Sequence, residues 1–323
     1  MNVVCIVQDN ESGSIFDISE LVTEATWDTF LENQPGKLSL TYIDDGRATI
    51  HEGSSLSFTV DGKGVFFGYV ITRSQTKDET RKIIAYDQMF YLQNKDTYVF
   101  SDITASGVFE KICLDYKLKY KVVSASSYIL PQRLHDGKSL FEIIKYGIYS
   151  ALSGEGRWFI MRDNFGTLEF RDILTLKTFL YLGAGTPLTD FSYESSIGSD
   201  TFNRIKLVRE NKETVKREIY QIEDSSTIGK WGILQYFETV SDTMNEAQIK
   251  ERAEQILRLK NRITKTVGLD HLGDLQAVAG SGIILGVDGL NESLSNKYFM
   301  ITKSSHTFKN DMHTMKLELQ VSI

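Results

Sequence analysis

A strand–turn–strand stretch near the N-terminus returns in a looser copy near the C-terminus, and this repeat constrains the fold more than any other feature. Residues 53–74 alternate apolar and polar side chains on both sides of Asp61-Gly62, a dipeptide that favours a tight hairpin turn. Residues 280–304 follow the same plan with three residues added in the turn. The equivalent positions, at one constant spacing, are Gly53, Asp61 and Gly62 against Gly280, Asp288 and Gly289.

The order of the parts around the repeat argues against coincidence. Two unrelated hairpins with a common Asp-Gly turn would share a few letters only. In both copies, however, a glycine-flanked strand leads through the turn to an aromatic-rich return strand and then to a further alternating strand, at 82–86 and at 315–321. When the return strands are aligned by the Ile-Thr dipeptide that they share, Ile71 corresponds to Ile301. We predict two β-domains of similar plan at opposite ends of the chain, the first with enough strands for a small barrel or sandwich.

The stretch between the copies has a different character and predicts a small α+β domain. Apolar residues at helical spacing predict helices at 104–118 and 139–152, and a β-hairpin that turns at 163–166 follows them. The fold class is therefore mainly β with an α+β middle part. The expected domains are an N-terminal β-barrel at 1–98, an α+β domain at 99–186 and a C-terminal β-barrel at 187–323.

The C-terminal domain is predicted to contain a helical insertion. A helix at about 245–260, with Asn245 as its N-cap, carries apolar residues on one face and charges on the other. We expect this helix to interrupt the second barrel. Alternating strands assigned to the same barrel lie at 203–209, 215–222 and 231–237.

Composition excludes several classes of protein. Charged residues make up 24% of the 323-residue chain and the apolar set 41%, the profile of a soluble globular protein. The net charge of −7 argues against general phosphate-backbone binding, so no specific nucleic acid is expected. The chain shows neither a basic leader nor a long apolar run, so we expect no secretion by the general route and no membrane insertion. The two cysteines, Cys5 and Cys113, are too few for a disulfide framework.

Candidate chemical sites do not reach the pattern that their chemistry requires. Gly280 and Gly282 precede a strand-like run rather than a helix, which favours glycines at a strand entrance over a dinucleotide site. His306 and His313 flank a loop and could share a metal ion, but no third ligand is fixed nearby by spacing. We expect no catalytic, cofactor or metal site. Two acids on distant strands leave no trace in a sequence, so a hydrolytic acid pair stays open.

An ordered set of short motifs resembles a known family. The motifs are Glu52-Gly53, the return strand from Val65 through Phe67 and Gly68 to Val70, Ile84 to Asp87 followed by Leu92, Asn203 to Ile205, Trp231-Gly232 to Gln235, and His306 with His313. Each motif is weak alone, but their order over nearly the whole chain is similar to baseplate hub proteins of contractile phage tails. The resemblance is strongest to the XkdQ/YqbQ branch, of the PBSX type, from phages and phage-like particles of Gram-positive bacteria.

This resemblance implies a structural protein with no enzymatic activity. Hubs of this type are similar to homotrimers in which two tube-like barrels per chain give six barrels, so that a sixfold tail tube meets a threefold central spike. The implied partners are the tail tube protein, the central spike protein, a LysM-containing baseplate protein and wedge components. The protein would be assembled in the bacterial cytoplasm and become part of a phage tail or a tailocin, a headless contractile particle. The alternatives are a particle-associated cell-wall glycosidase and a carbohydrate-binding β-protein.

Overall fold

A computed structural model describes residues 1–32, 34–75, 77, 80–183, 188–198, 200–211, 216–240, 242, 244–286 and 297–321. Strands dominate this part of the chain, which confirms the mainly β class. None of the helices in these ranges is long and apolar enough to cross a membrane.

The N-terminal sheet unit is built from antiparallel strands around one apolar core. Its strands are β1 (Val3–Gln8), β2 (Ile15–Asp17), β3 (Val22–Phe30), β4 (Lys37–Ile43), β5 (Ser55–Val60), β6 (Lys63–Gln75) and β7 (Thr80–Tyr86). Strand β4 alternates between buried and half-buried residues, as its sequence predicts. The β5–β6 hairpin turns at Asp61 and Gly62, whose φ angles of 48° and 75° are the left-handed values that an Asp-Gly turn supplies.

The middle unit combines two helices with two small sheets. Its elements are β8 (Lys95–Phe100), α1 (Ala105–Asp115), β9 (Tyr120–Val122), β10 (Arg133–Ser139), α2 (Leu140–Glu155), β11 (Phe159–Asp163) and β12 (Leu168–Asp172). The side chain of Thr104 caps α1, and Ser139 and Glu142 form a capping box at the start of α2. Both predicted helices and the predicted hairpin are therefore present, around a separate apolar core that includes Phe109, Ile144 and Phe170.

The C-terminal part of the chain separates into two packing groups. The C-terminal sheet unit contains β13 (Lys177–Gly183), β14 (Leu188–Ser196), β18 (Thr264–Leu272), β19 (Gly282–Gly286), β20 (Lys297–Lys309) and β21 (Met312–Val321). Between β14 and β18 lies the inserted unit, made of β15 (Arg204–Asn211), β16 (Lys216–Glu223), α3 (Ser225–Trp231), β17 (Gln235–Val240) and α4 (Glu246–Lys260).

The inserted unit corrects the expected position of the late helix. Helix α4 has the predicted bounds and its Asn245 cap, but it packs on a three-stranded sheet of β16, β15 and β17 rather than in the C-terminal sheet. Ile205, Leu207, Ile249 and Ala253 form the common core. Because the apolar faces of the helix and of these strands bury one another, the group has a core of its own. The strand expected at 231–237 also lies later in the chain: Trp231 ends α3, and β17 runs from Gln235 to Val240.

The two sheet units are joined edge to edge in one continuous sheet. Strands follow one another in the order β14, β18, β21, β20, β3, β4, β7, β6, β5, β1 and β2, with β19 pairing β20 and β13 pairing β19. Within the described ranges neither unit closes into a barrel on its own, so the two-barrel description is not confirmed. The physical reason lies in the strand pairing. Closure of the N-terminal unit would require β3 to pair with β2, but the edge of β3 that faces away from β4 pairs with β20 of the other unit.

The hairpin repeat is present at the level of individual hydrogen bonds. Gly53 donates its N–H to the Val70 carbonyl at 2.7 Å, and Gly280 donates to the Ile301 carbonyl at 2.9 Å. Both glycines have nearly the same φ, +88° and +87°, in the left-handed region that favours glycine. Each return strand then carries a β-bulge immediately after this contact, at Val70 and at Ile301.

These contacts correct the alignment of the return strands by one residue. Ile301 is equivalent to Val70, not to Ile71, because hydrogen bonds and bulges fix strand register more strictly than shared letters do. The predicted second turn, with Asp288 and Gly289, lies outside the described residues.

Candidate functional site at the seam between the sheet units

The seam is the antiparallel pairing of β3 with β20, where the two sheet units meet. Lys303 to Lys309 pair with Phe30 to Glu24 in unbroken register. Near one end of the seam the hydroxyl groups of Thr29 and Ser304 lie 2.7 Å apart, and the Ala279 N–H donates to the Thr29 hydroxyl at 2.9 Å. Ser304 is fully buried, so these polar groups satisfy one another away from water.

His306 and His313, which the sequence singles out, meet at this seam. His306 donates from Nε2 to the Ala277 carbonyl at 3.0 Å, because a carbonyl can only accept. Its Nδ1 must then accept from Nε2 of His313, which lies 3.0 Å away. His306 also packs against the Trp27 ring, with ring centroids 5.1 Å apart. The pair therefore links β20, β21 and β3 through one chain of hydrogen bonds and ring contacts.

The histidine pair is held in its neutral form. Burial, together with the neighbouring His313, lowers the pKa of His306 to about 4. Burial also lowers the pKa of His313, against the opposing effect of Asp274. A second proton on His306 would place two N–H groups against each other, so protonation opposes the seam geometry. Among the described residues, no group of three or more His, Cys, Asp or Glu side chains is placed to hold a metal ion.

Asp87 lies in a second polar contact, between the N-terminal sheet unit and the middle unit. Its carboxylate accepts from the N–H groups of Gly36 and Met89 at 2.8 and 2.9 Å. Asp163 faces it from the turn of the β11–β12 hairpin, accepts from the Gly166 N–H at 2.6 Å and keeps a buried Oδ2 without a hydrogen-bond partner. Burial raises the pKa of Asp163 to about 6, and burial together with the charge of Asp163 raises the pKa of Asp87.

This acid contact does not form a substrate cleft. The cavity that Asp87 and Asp163 line has a volume of about 40 Å³, room for a few water molecules and far less than a sugar ring requires. When both carboxylates are ionised they repel one another in this buried space, which favours the protonated form of Asp87. The geometry supports a contact that fastens the middle unit to the sheet, rather than the paired acids of a glycosidase.

Phe67 also contributes to the contact with the middle unit, and the adjacent Gly68 packs within the N-terminal sheet unit. The Phe67 ring packs on Phe165, with centroids 6.1 Å apart, and a Cβ at Gly166 would lie 2.6 Å from the Phe67 ring. Gly68 lies so close to the Tyr86 carbonyl oxygen that a side chain there would clash with backbone. These two positions therefore carry packing constraints.

Asn203 and Gly232, two further predicted positions, meet in the inserted unit. The Asn203 amide donates to the Gly232 carbonyl and accepts from the Leu234 N–H, each at 2.8 Å. Asn203 is fully buried, and Gly232 has a φ of +76°. The pair fixes the loop between α3 and β17 against the start of β15.

The predicted positions thus fall in separate places. His306 and His313 lie at the seam, Asp87 and Phe67 at the middle unit, and Asn203 and Gly232 in the inserted unit. Gly53 and Gly280 lie at equivalent strand entrances. Sequence reasoning missed Trp27, Thr29 and Asp163 as contact residues, because each meets its partner through a long-range contact between units.

The fold and the seam define a class of protein: a mainly β chain with two equivalent sheet units joined edge to edge, an α+β unit between them and an inserted helical unit. A family model described as YqbQ-like matches residues 25–320, and the chain belongs to the YqbQ-like family.

Two relatives from Bacillus subtilis strain 168 match most of the chain. The uncharacterized protein YqbQ is 29% identical over 274 residues, which cover 84% of this chain and 82% of the relative. The phage-like element PBSX protein XkdQ is 30% identical over 278 residues, with the same coverage of 84% and 82%. The crystal structure of a 43 kDa tail protein of prophage MuSo2 from Shewanella oneidensis shares the fold, with a TM-score of 0.68, 15% identity and 98% of each chain covered.

Proposed function

We propose that this protein is a structural baseplate hub of a contractile tail or phage-tail-like particle, and that it has no enzymatic activity. The observation that carries the proposal is the internal repeat, since one chain contains two equivalent sheet units that join edge to edge. Family membership supports it, because one relative is named as a protein of a phage-like element and a solved structure of the same fold is a tail protein.

The repeat has a physical use in such a particle. Three chains with two equivalent units each supply six similar units in a ring. Such a ring presents approximate sixfold symmetry to a tail tube on one side while it keeps true threefold symmetry for a central spike on the other. We therefore assign the protein the role of a trimeric symmetry adaptor, with the tail tube protein, the central spike protein, a LysM-containing baseplate protein and wedge components as partners.

The test is recovery of the protein with its neighbours. Cells that produce tail particles would carry a tagged copy of the chain, and the proteins that co-purify would be identified and counted by quantitative mass spectrometry. We expect tube, spike and LysM-containing proteins, with three copies of this chain for each trimeric spike. An untagged strain provides the control for adventitious particle recovery.

The opposite result has a clear meaning. Recovery of the chain alone, or with cell-wall glycans in place of tail proteins, would contradict the hub. Lytic activity on cell-wall zymograms would then support the glycosidase alternative, and selective glycan-array binding would support the carbohydrate-binding alternative.

A further inference from the structure

Among the described residues, strand β14 is the terminal strand of the continuous sheet, and its position is equivalent to that of β3. The equivalence follows from the strand pairing, taken one strand at a time from the bulge of each return strand. In the N-terminal unit the successive paired residues are Val70, Ala85, Leu38 and Trp27. In the C-terminal unit they are Ile301, Leu319, Val267 and Tyr193. Trp27 and Tyr193 therefore occupy the same place in the two units. Each lies four strands away from the first strand of the repeated hairpin, which is β5 in one unit and β19 in the other.

The residues of the two strands carry the same chemistry. Residues 24–30 read Glu-Ala-Thr-Trp-Asp-Thr-Phe, and residues 190–196 read Asp-Phe-Ser-Tyr-Glu-Ser-Ser. Five of these seven positions pair an acid with an acid, a hydroxyl with a hydroxyl or an aromatic ring with an aromatic ring. This similarity was not used to align the strands, so it supports the equivalence independently.

The two strands differ in one respect, which is the partner at their outer edge. The outer edge of β3 pairs with β20, whereas β14 pairs with β18 alone among the described residues. Ala25 is fully buried at the seam, but the equivalent Phe191 is 38% exposed and Tyr193 is 43% exposed. An exposed apolar edge strand presents unpaired backbone groups that readily accept another strand.

The matching second edge is on β6. The equivalents of Ser304 and His306, both fully buried in the seam, are Arg73 and Gln75, and both of these are exposed. Over residues 72–75, β6 pairs with β7 on one side. On its other side β6 pairs with β5, and this pairing stops at Tyr69. Each chain therefore has a seam-like edge on β14 and a complementary seam-like edge on the far end of β6.

We infer that β14 of one chain pairs antiparallel with residues 72–75 of β6 in a second copy of the chain, reproducing the internal seam between chains. Transfer of the seam register gives Thr72 opposite Ser196, Arg73 opposite Ser195, Ser74 opposite Glu194 and Gln75 opposite Tyr193. The contact is head-to-tail, and such contacts close into a ring when the rotation fits. The inference rests on the proposed hub function and names the surfaces that would join its subunits.

Disulfide cross-linking within tail particles tests this register. A chain with Arg73→Cys and Ser195→Cys would be incorporated into particles, oxidised with copper phenanthroline and separated on non-reducing gels. We expect the monomer band to be replaced by covalently linked dimers and trimers. The native thiols do not interfere, because Cys5 and Cys113 are both buried.

Two control variants make the result specific. Thr29→Cys with Ser304→Cys places a pair at the equivalent internal seam, where the native hydroxyls lie 2.7 Å apart, and must form a disulfide without changing the number of chains. Arg73→Cys with Glu194→Cys shifts the pair by one residue, which places the two side chains on opposite faces of the sheet. This second variant must remain monomeric on the gel.

Each remaining outcome overturns a different statement. If particles contain the chain and the internal control reacts, but the 73–195 pair stays unlinked or links to another tail protein, the inferred contact is wrong and the hub stands. If the chain is absent from the particles, the hub is wrong and the inferred contact falls with it.

Discussion

The buried histidine pair makes the stability of the seam dependent on pH. In the unfolded chain a histidine has a pKa of about 6.5, whereas burial lowers the pKa of His306 to about 4 in the folded protein. The unfolded state therefore binds more protons between these values, so the contribution of His306 is complete above pH 6.5 and is lost as the pH falls toward 4.

We expect His306→Gln to remove most of this pH dependence. A glutamine amide can still donate to the Ala277 carbonyl, but it does not titrate. The difference in unfolding free energy between the native protein and the variant should shrink by about 3 kcal/mol from pH 7 to pH 4. Urea unfolding at a series of pH values measures it. A difference independent of pH would contradict the buried neutral pair.

The comparison of variants is necessary because the acid contact acts in the opposite direction. The pKa values of Asp87 and Asp163 are raised by burial, Asp163 to about 6. Their contribution to stability is therefore complete at low pH and is lost as the pH rises through about 6. The pH profile of the native protein alone combines both effects, whereas the difference between two variants isolates one of them.

Asn203 illustrates a single residue whose hydrogen bonds hold an element in place. Asn203→Ala removes the side-chain partner of both the Leu234 N–H and the Gly232 carbonyl, so we expect a loss of about 1–3 kcal/mol in unfolding free energy. Asn203→Asp keeps the acceptor for Leu234 and loses the donor to Gly232, so we expect both variants to destabilise. Urea denaturation measures the loss, and near-native stability of the alanine variant would contradict this assignment.

At the level of elements, both repeated strand entrances should be destabilised by the same substitution. Gly53→Ala and Gly280→Ala each force a side chain into the left-handed region, at about 1–3 kcal/mol. The loss should be larger at Gly280, where a Cβ would lie 2.7 Å from Ile160 in the core, than at Gly53, where it meets the amide of Asn10. Thermal and urea denaturation would compare the two variants.

Gly229→Ala provides the matched control for these substitutions. Gly229 lies in α3 with nothing within 4 Å of a built Cβ, so alanine there should be neutral or stabilising. If Gly53→Ala or Gly280→Ala behaved like this control, the proposed equivalence of the strand entrances would lose its physical basis.

The elements that could be predicted from sequence are those whose signals are local. The Ser139–Glu142 capping box, the Asn245 cap and the alternation of β4 each lie within one short segment, and each appears as predicted. Strand β3 was not predicted, because Glu24 and Asp28 interrupt its apolar pattern. Their partners are Lys309, far along the chain, and Lys37 on the next strand, so the reason for these charges appears only after folding.

The candidate site was only partly predictable for the same reason. The sequence singled out His306 and His313, but Trp27 and Thr29 join them through a pairing between strands from opposite ends of the chain. The sequence predicted no metal at the two histidines and gave them no other role, whereas their hydrogen bonds make them a structural contact between strands. Strand order in a sheet is set by long-range pairing, and the pattern of one strand does not specify its neighbour.

At the scale of the whole molecule, the exposed edge of β14 should matter for assembly and not for folding. Phe191→Lys with Tyr193→Lys places two charges where each native ring is about two-fifths exposed. The isolated chain should keep its melting temperature within a few degrees, since exposed substitutions change unfolding free energy by about 0.5 kcal/mol. Charges on an edge strand oppose strand addition, so incorporation into particles should be lost.

Val99→Lys separates the edge from surface charge in general. Val99 is 63% exposed in the middle unit, away from both seam-like edges, and its substitution also adds a positive charge. Quantitative mass spectrometry of particles should show the Val99 variant at the native level and the β14 variant strongly depleted, with circular dichroism confirming that both chains fold. Equal incorporation of the two variants would mean that β14 does not join subunits, and the inferred contact between copies of the chain would be wrong.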